Sequence, residues 1–162
     1  MIQPDIDPAA AALLPPVREA VSEAGAMIRA AFHGRGEAST QSGDRPLVAE
    51  IEAMLKDRLL RLHACGFLDD GTDAGSAAGI DAWAVHPLDG TTVFQAGRWG
   101  CAPSVALLRA GRPVLGVVCA PLAPDDRGDL IAWAEGAELT RNSRPVREAP
   151  TGDPMVLATN AA

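Results

Sequence analysis

The spacing of the apolar residues changes once along the chain, near Gly66, and this change constrains the fold more than any other feature. Before Gly66, apolar residues recur every three or four positions, which predicts a helix over about Pro15–His33 and a second helix beginning near Leu47. After Gly66 come short apolar runs separated by turns that contain glycine or proline. Two helices followed by neighbouring strands predict an α+β fold, in which the two N-terminal helices pack on one face of a largely antiparallel sheet.

The individual strands are predicted from these apolar runs and from the turns between them. The sequence AGR at Ala110–Arg112 predicts a tight hairpin. The run Met155–Thr159 also has strand character, and it either joins this sheet or pairs with a segment that the chain lacks. The predicted strands are FLDD (67–70), DAWAVH (81–86, ending at Pro87), Pro103–Arg109, Pro113–Ala120, Asp129–Ala134 and a weaker Glu138–Arg141.

The charge of the chain restricts its partners. With a formal net charge of -7, the surface repels nucleic-acid backbones and anionic membranes, so neither is an expected partner. The same charge repels a phosphate ester unless cations or a local cluster of N–H donors offset it. A protein of this composition that handles a small phosphorylated molecule is therefore expected to need metal ions or local helix N-termini to bind it.

The cysteines and the N-terminal residues give no sign of export. The three cysteines, Cys65, Cys101 and Cys119, have no metal-binding spacing, and an odd number argues against a secreted disulfide framework. The first residues lack the basic stretch of a signal peptide, and no apolar run is long enough to cross a bilayer. These features predict a cytoplasmic protein.

The segment WAVHPLDGTTVFQAG, residues 83–97, carries the clearest chemical signal. On one interpretation its PLDG is an ordinary turn, since proline fixes φ, aspartate bonds its own backbone and glycine adopts a positive φ. On another, the apolar strand before it and the DGTT after it place amides, a hydroxyl and a carboxylate together. Amides and a hydroxyl can cradle a phosphate, while the carboxylate holds the cation that neutralises it.

The same segment resembles the signature of the inositol monophosphatase superfamily, W-x-x-D-P-[IL]-D-G-T-x-x-F. Three other segments agree with the family in order and spacing, namely FLDDGT, SVALLRAGRPVLGVVCAP and AWAEGAEL, and the second leans toward the 3′(2′),5′-bisphosphate nucleotidase branch. The resemblance runs from about Val17 to Thr159. It implies an N-terminal domain over residues 1–154, with residues 155–162 as the start of a second domain that is absent.

The resemblance also implies an activity, a cofactor and a set of site residues. Members hydrolyse phosphomonoesters with two or three Mg²⁺ ions, which orient a water and stabilise the leaving oxygen. Asp89 matches a metal-bridging catalytic aspartate, and Leu88 matches a residue whose backbone carbonyl binds metal. Gly90 and Thr91 match the phosphate cradle, and Thr91 also matches the catalytic threonine that activates the water. Asp70 stands where the family has its first glutamate ligand.

Three positions and one missing region depart from the family pattern. His86 replaces the first signature aspartate, Gly71 replaces a second glutamate, and Val48 stands at or near an acidic partner of Thr91. The second domain of the family would supply a further metal aspartate. With only Asp70 and Asp89 placed as carboxylates, the resemblance predicts a degraded metal site with weak or absent Mg²⁺ binding.

Two of these residues keep alternative roles. Asp70 is either a metal ligand or part of a solvated acidic loop. His86 either bonds nearby backbone or serves as a ligand for a transition metal, because imidazole suits such ions better than Mg²⁺.

Two functions therefore stay open. One is a metal-dependent phosphomonoesterase acting on a bisphosphate nucleotide or an inositol phosphate, with weak or no activity in this chain. The other is a non-catalytic, phosphatase-like protein that binds a phosphate ligand or a partner. In either case an apolar sheet edge or face near Met155–Thr159 predicts a homodimer.

Overall fold

A computed structural model describes residues 8–34, 44–68 and 80–147, and these residues form the predicted α+β fold. Two long helices come first, α1 over Pro8–His33 and α2 over Asp44–Leu62, and a short helix α3 follows later at Thr91–Gln95. The strands are β1 (Gly66–Leu68), β2 (Asp81–Asp89), β3 (Ala102–Arg109), β4 (Arg112–Ala120), β5 (Asp129–Ala134), β6 (Thr140–Arg141) and β7 (Arg144–Pro145).

The strands described here form one sheet of seven, ordered β1 to β7 as along the chain. All neighbouring strands are antiparallel except β1 and β2, which run parallel. The meander predicted from the sequence is therefore confirmed for β2 to β7. The predicted tight hairpin joins β3 and β4 through Ala110 and Gly111, both with positive φ, as a two-residue hairpin turn requires.

Both long helices pack on one face of this sheet, α1 over β3, β4 and β5 and α2 over β2. Trp83 of β2, Leu107 of β3 and Val117 of β4 point into the interface with the helices and are fully or almost fully buried. Val17 and Ile28 of α1 meet them from the other side, in one continuous core. This packing fixes β2, and hence the residues that follow it, against a rigid support.

Helix α1 begins seven residues earlier than the sequence analysis predicted. Pro15 and Pro16 lie inside it, although proline removes a helical hydrogen bond and usually marks a helix start. Ala10 and Leu14 continue the apolar stripe before the prolines and are buried in the core. We attribute the longer helix to this burial, which outweighs the local cost of the prolines.

Other helices and strands also differ from the bounds predicted from the sequence. Helix α2 begins at Asp44, because Pro46 is tolerated in the first turn of a helix. Strand β1 covers Gly66–Leu68, and the rest of the predicted FLDD strand, with Met155–Thr159, lies outside the described residues. The weak predicted strand over 138–141 is shorter, Thr140–Arg141, and it turns through Asn142 and Ser143 into β7, which was not predicted.

The opposite face of the sheet contacts neither α1 nor α2. Val118 of β4 and Ile131 of β5 are register partners on this face and remain 41% and 44% exposed. No helix in the described ranges carries an apolar stretch long enough to span a bilayer.

Candidate active site

Strand β2 ends in an irregularity that presents the signature residues at the sheet edge. His86 pairs with Ser104 and Asp89 pairs with Ala102, so β2 has one more residue than β3 over this stretch. Pro87 lies within this bulge and is buried, and the interrupted ladder accommodates its missing N–H. The sequence analysis ended this strand at Pro87, whereas the bulge lets it continue to Asp89.

Gly90 turns the chain from β2 into α3. Its φ of 78° and ψ of 32° lie in the left-handed region that favours glycine. A Cβ atom at this position would lie 2.3 Å from the carbonyl oxygen of Gly100, so the close approach of two backbone segments also requires glycine. The turn interpretation of the motif is thus correct at Gly90, and the structure needs this residue whether or not a phosphate binds.

Thr91 is fixed by a hydrogen bond within the same turn. Its hydroxyl donates to the backbone carbonyl of Leu88 over 3.0 Å. Leu88 itself is buried, so this bond holds the threonine against the core. A carbonyl oxygen accepts two bonds, and a hydroxyl oxygen keeps its acceptor lone pairs when its proton is donated. Both oxygens therefore retain the capacity for a metal ion or a water.

Asp89 and His86 form the charged part of the site. The Asp89 side chain is 79% exposed, and its Oδ1 lies 3.9 Å from Nε2 of His86, which is beyond hydrogen-bond distance. The carboxylate therefore faces solvent without a tight partner among the described residues. An aspartate in this state can accept a cation without first breaking a strong interaction.

The other predicted site residues are only partly accounted for. Val48 is half-buried in α2 and packs against the core, as its apolar side chain dictates. Asp70 and Gly71 lie outside the described residues. Within residues 8–34, 44–68 and 80–147, no three His, Cys, Asp or Glu side chains come together in a way that could hold a metal ion.

The donors that are present fit part of a Mg²⁺ shell. The Asp89 carboxylate and the Leu88 carbonyl are oxygen ligands of the kind that Mg²⁺ prefers. The imidazole of His86, near Asp89, does not fit this ion and suits Zn²⁺ or another transition metal.

A second histidine–aspartate pair lies at the other end of β2, and the sequence analysis did not find it. His63, just after α2, places its Nε2 3.0 Å from Oδ2 of Asp81, and the Arg109 guanidinium donates to both Asp81 oxygens over 3.1 to 3.3 Å. The hydrogen bonds from Arg109 lower the pKa of Asp81 most, and His63 lowers it further. The signal that could have revealed it is the hairpin register, which places Asp81 opposite Arg109.

Two of the three thiols, Cys65 and Cys119, have a raised pKa. Burial raises the pKa of Cys119 to about 11, and it also raises the pKa of Cys65. A thiol of this kind is almost wholly protonated at neutral pH, and the thiolate is the nucleophilic form. Cys65 and Cys119 are therefore not activated as nucleophiles.

Comparison with known proteins agrees with this geometry. A family model described as the inositol monophosphatase family matches residues 11–161. No curated protein matches the chain. Among solved structures, an inositol monophosphatase from Anabaena (Nostoc) sp. PCC 7120 is 25% identical, with a TM-score of 0.68, and the alignment covers 88% of this chain and 50% of that one.

Two further solved structures share the fold. The extragenic suppressor protein suhB from Bartonella henselae is 24% identical with a TM-score of 0.64, and the alignment covers 82% of this chain and 52% of that one. Inositol monophosphatase-II from Staphylococcus aureus is 21% identical with a TM-score of 0.66, over 84% of this chain and 50% of that one. The chain thus spans about half the length of the solved relatives that it matches.

Proposed function

This chain belongs to the inositol monophosphatase family, and from that membership we propose that it carries one half of a metal-dependent phosphomonoesterase site and is by itself a weak catalyst. One observation carries the proposal. The exposed carboxylate of Asp89 stands directly before the Gly90 turn and the fixed hydroxyl of Thr91. A cation ligand, a phosphate cradle and a water-orienting hydroxyl are therefore adjacent in three consecutive residues.

Each residue of the turn has a separate role in the proposed hydrolysis. Asp89 and the Leu88 carbonyl would hold the metal, which when bound supplies positive charge to the phosphate and to the leaving oxygen. The Thr91 hydroxyl has its proton committed to Leu88, so its lone pairs accept a hydrogen bond from the attacking water and orient it. The N–H groups of Gly90 and Thr91, at the start of α3, would bind the phosphate oxygens.

The same residues explain why we expect weak activity. Hydrolysis of a phosphate dianion by a chain of net charge -7 depends on bound metal for positive charge. Asp89 is the single carboxylate that the described residues supply at this site, and the neighbouring His86 adds no anionic oxygen. We propose that Mg²⁺ binds weakly here and that His86 shifts the preference toward a transition metal.

The proposed substrate is a small phosphate monoester, either an inositol phosphate or a bisphosphate nucleotide. The Anabaena relative is an inositol monophosphatase, which supports the first. The resemblance of the β3–β4 hairpin segment to the bisphosphate nucleotidases supports the second. Both substrates present the same phosphate to the same turn, so both belong in the assay.

The test is hydrolysis of inositol 1-phosphate and of 3′-phosphoadenosine 5′-phosphate in Mg²⁺, Mn²⁺ or Zn²⁺. We expect slow turnover that falls by about a hundredfold in Thr91→Ala and in Asp89→Asn, since each change removes one catalytic group. Thr92→Ala is the matched control, because Thr92 is exposed and its hydroxyl makes no hydrogen bond in the described structure. It should retain the activity of the unmodified chain.

The outcomes separate the candidate functions. Turnover that Thr91→Ala and Thr92→Ala reduce equally would sink the proposed role of Thr91. Turnover only in Zn²⁺ or Mn²⁺ that disappears in His86→Ala would identify His86 as a ligand. Binding of substrate without any turnover would favour the non-catalytic hypothesis.

We also propose that the chain forms a homodimer. The exposed Val118 and Ile131, paired side by side on the open sheet face, support this, because adjacent apolar side chains favour association. Sedimentation velocity over a range of concentrations tests it. A monomer at the highest concentration would refute it.

A further inference from the structure

A groove rich in arginine runs between α1 and the β5–β7 edge of the sheet, away from the candidate active site. It consists of three adjoining cavities of about 260, 470 and 440 Å³. The first and third share Ser22 and Leu130 in their walls, and the first and second share Arg127 and Asn142. None of residues 86–91 lines any of the three. We call this surface the arginine groove, and its five arginines are Arg18, Arg29, Arg127, Arg141 and Arg144.

The charge of the groove is opposite to that of the whole chain. The chain has 14 lysines and arginines against 21 aspartates and glutamates. The groove nevertheless contains five arginines against four carboxylates, those of Glu19, Asp125 and Asp129 in its walls and that of Asp126, which pairs with Arg29. A local excess of guanidinium groups on an acidic protein attracts anions to that place.

Three of the five arginines are already paired with carboxylates. Arg29 lies 3.5 Å from Asp126, and Arg127 lies 3.5 Å from Asp125. Arg141 forms a close pair with Asp129. These pairs hold the groove walls in place and leave little charge free on the three arginines.

Arg18 and Arg144 differ, because neither pairs with a carboxylate in the part of the chain that the structure describes. Arg18 donates from Nη2 to the hydroxyl of Ser143, while its Nε is buried and has no hydrogen-bond partner among the described residues. Arg144, next to Ser143 in the same hairpin, is exposed, and its side chain makes no hydrogen bond or ion pair with the described residues.

We propose that the arginine groove is a second binding site, for a small phosphate-bearing anion, with Arg18 and Arg144 as its primary contacts. Guanidinium groups match phosphate oxygens with paired N–H donors, and the terminal N–H groups of Arg18 make one hydrogen bond, to Ser143, in the described structure. Ser143 directly precedes Arg144 in the sequence, and its hydroxyl accepts a hydrogen bond from Arg18, so it can contribute a further polar contact. This site is independent of Asp89 and needs no metal ion.

The test is titration of the chain with inorganic pyrophosphate in EDTA, followed by calorimetry and by amide chemical shifts. We expect shifts at groove residues such as Ser22, Leu130 and Asn142. The affinity should fall about tenfold in Arg144→Gln and further in the double variant Arg18→Gln/Arg144→Gln, since each loses a charge-assisted hydrogen bond. Arg144→Gln alone keeps the test valid if the double variant does not fold, because the exposed Arg144 side chain makes no hydrogen bond or ion pair with the described residues.

Two controls distinguish a specific site in the arginine groove from nonspecific electrostatic attraction of the anion. Arg61→Gln removes the same charge from α2, where Arg61 is 77% exposed and pairs with Asp57, and it should leave the affinity unchanged. Asp89→Asn should leave it unchanged too. An equal loss in Arg61→Gln, shifts confined to residues 86–95, or no binding to the unmodified chain would each overturn the proposal. Citrate binding as tightly as pyrophosphate would overturn the preference for phosphate.

Discussion

At each end of β2 an aspartate lies near a histidine, but one aspartate is bonded to protein groups and the other is exposed to solvent. At the start of the strand, Asp81 is only 25% exposed, with His63 at 3.0 Å and Arg109 bonded to both of its oxygens. At the other end, Asp89 is 79% exposed and His86 stays 3.9 Å away. The first carboxylate has exchanged water for protein donors, while the second is still solvated and can bind something else.

The comparison teaches that a residue pair does not define a site. Arg109 and His63 lower the pKa of Asp81, and a perturbed pKa often marks a functional residue, yet the partners of Asp81 are those of a structural ion pair that ties α2 to the sheet. At the Asp89 end the order comes from the backbone instead, through the Gly90 turn and the Thr91–Leu88 hydrogen bond. The carboxylate of Asp81 is bonded to protein groups, whereas the carboxylate of Asp89 is exposed to solvent.

The largest expected effect on stability comes from disrupting the Gly90 turn at the Asp89 end of β2. Gly90→Ala forces a side chain into the left-handed region and places its Cβ 2.3 Å from the Gly100 oxygen. We expect a loss of about 2–4 kcal/mol in the free energy of unfolding, measured by urea denaturation. Gly97→Ala is the matched control, because Gly97 has a φ of 68° and nothing within 4 Å of the added Cβ. It should cost about 1 kcal/mol, and equal losses would show that strain alone, without the close contact, accounts for the effect.

The next prediction concerns the stability contributed by Asp81, which is bonded to Arg109 and His63. Asp81→Asn removes the charge that Arg109 and His63 share, and charge-assisted hydrogen bonds at a partly exposed site predict a loss of about 1–2 kcal/mol in unfolding free energy. Asp89→Asn makes the same chemical change at the open end and should stay within about 0.5 kcal/mol of the unmodified chain. Similar values for the two variants would erase the contrast between the ends of β2.

Much of the fold followed from the sequence, because apolar spacing reports directly on burial. Strand β5 was predicted with its observed bounds, and β3 and β4 were each one residue longer than predicted. The start of α1 was wrong because the burial of Ala10 and Leu14 against distant residues overrode the local effect of Pro15 and Pro16. A one-dimensional pattern records propensity, and it does not record which distant surface will cover a helix.

Less of the site could be predicted. The sequence indicated that residues 86–91 belong together, but the bulge that positions Asp89 depends on pairing with β3. The His63–Asp81–Arg109 cluster joins three elements and has no local motif. The arginine groove likewise joins α1 to the β6–β7 hairpin across more than a hundred residues of sequence, as the Arg18–Ser143 bond shows.

Acidification should remove the stability that the ionised Asp81 contributes to the fold. The pKa of Asp81 is lowered by Arg109 and His63, so its stabilising contribution is complete above the unfolded value of about 3.9 and is lost as the pH falls through the folded value. The difference in unfolding free energy between the unmodified chain and Asp81→Asn should therefore shrink as the pH falls below about 4. Urea denaturation at several pH values measures it, and a difference that grows on acidification would contradict the assignment.

The smallest effect on stability, and the sharpest test of the open end, comes from His86→Asp. Without metal, two carboxylates then face each other across the end of β2, and their repulsion should lower the unfolding free energy by less than about 1 kcal/mol. With Mn²⁺ or Mg²⁺ the sign should reverse, because two anionic oxygens beside the Leu88 carbonyl bind a divalent cation at least about tenfold more tightly than one. Thermal unfolding with and without metal measures the expected loss and gain of stability. Electron paramagnetic resonance measures the Mn²⁺ affinity directly. His63→Asp is the matched control at the other end, where Arg109 already occupies Asp81 and added metal should not restore stability. If metal stabilised both variants alike, Asp89 would be no more available than Asp81, and the contrast on which the proposed site depends would fail.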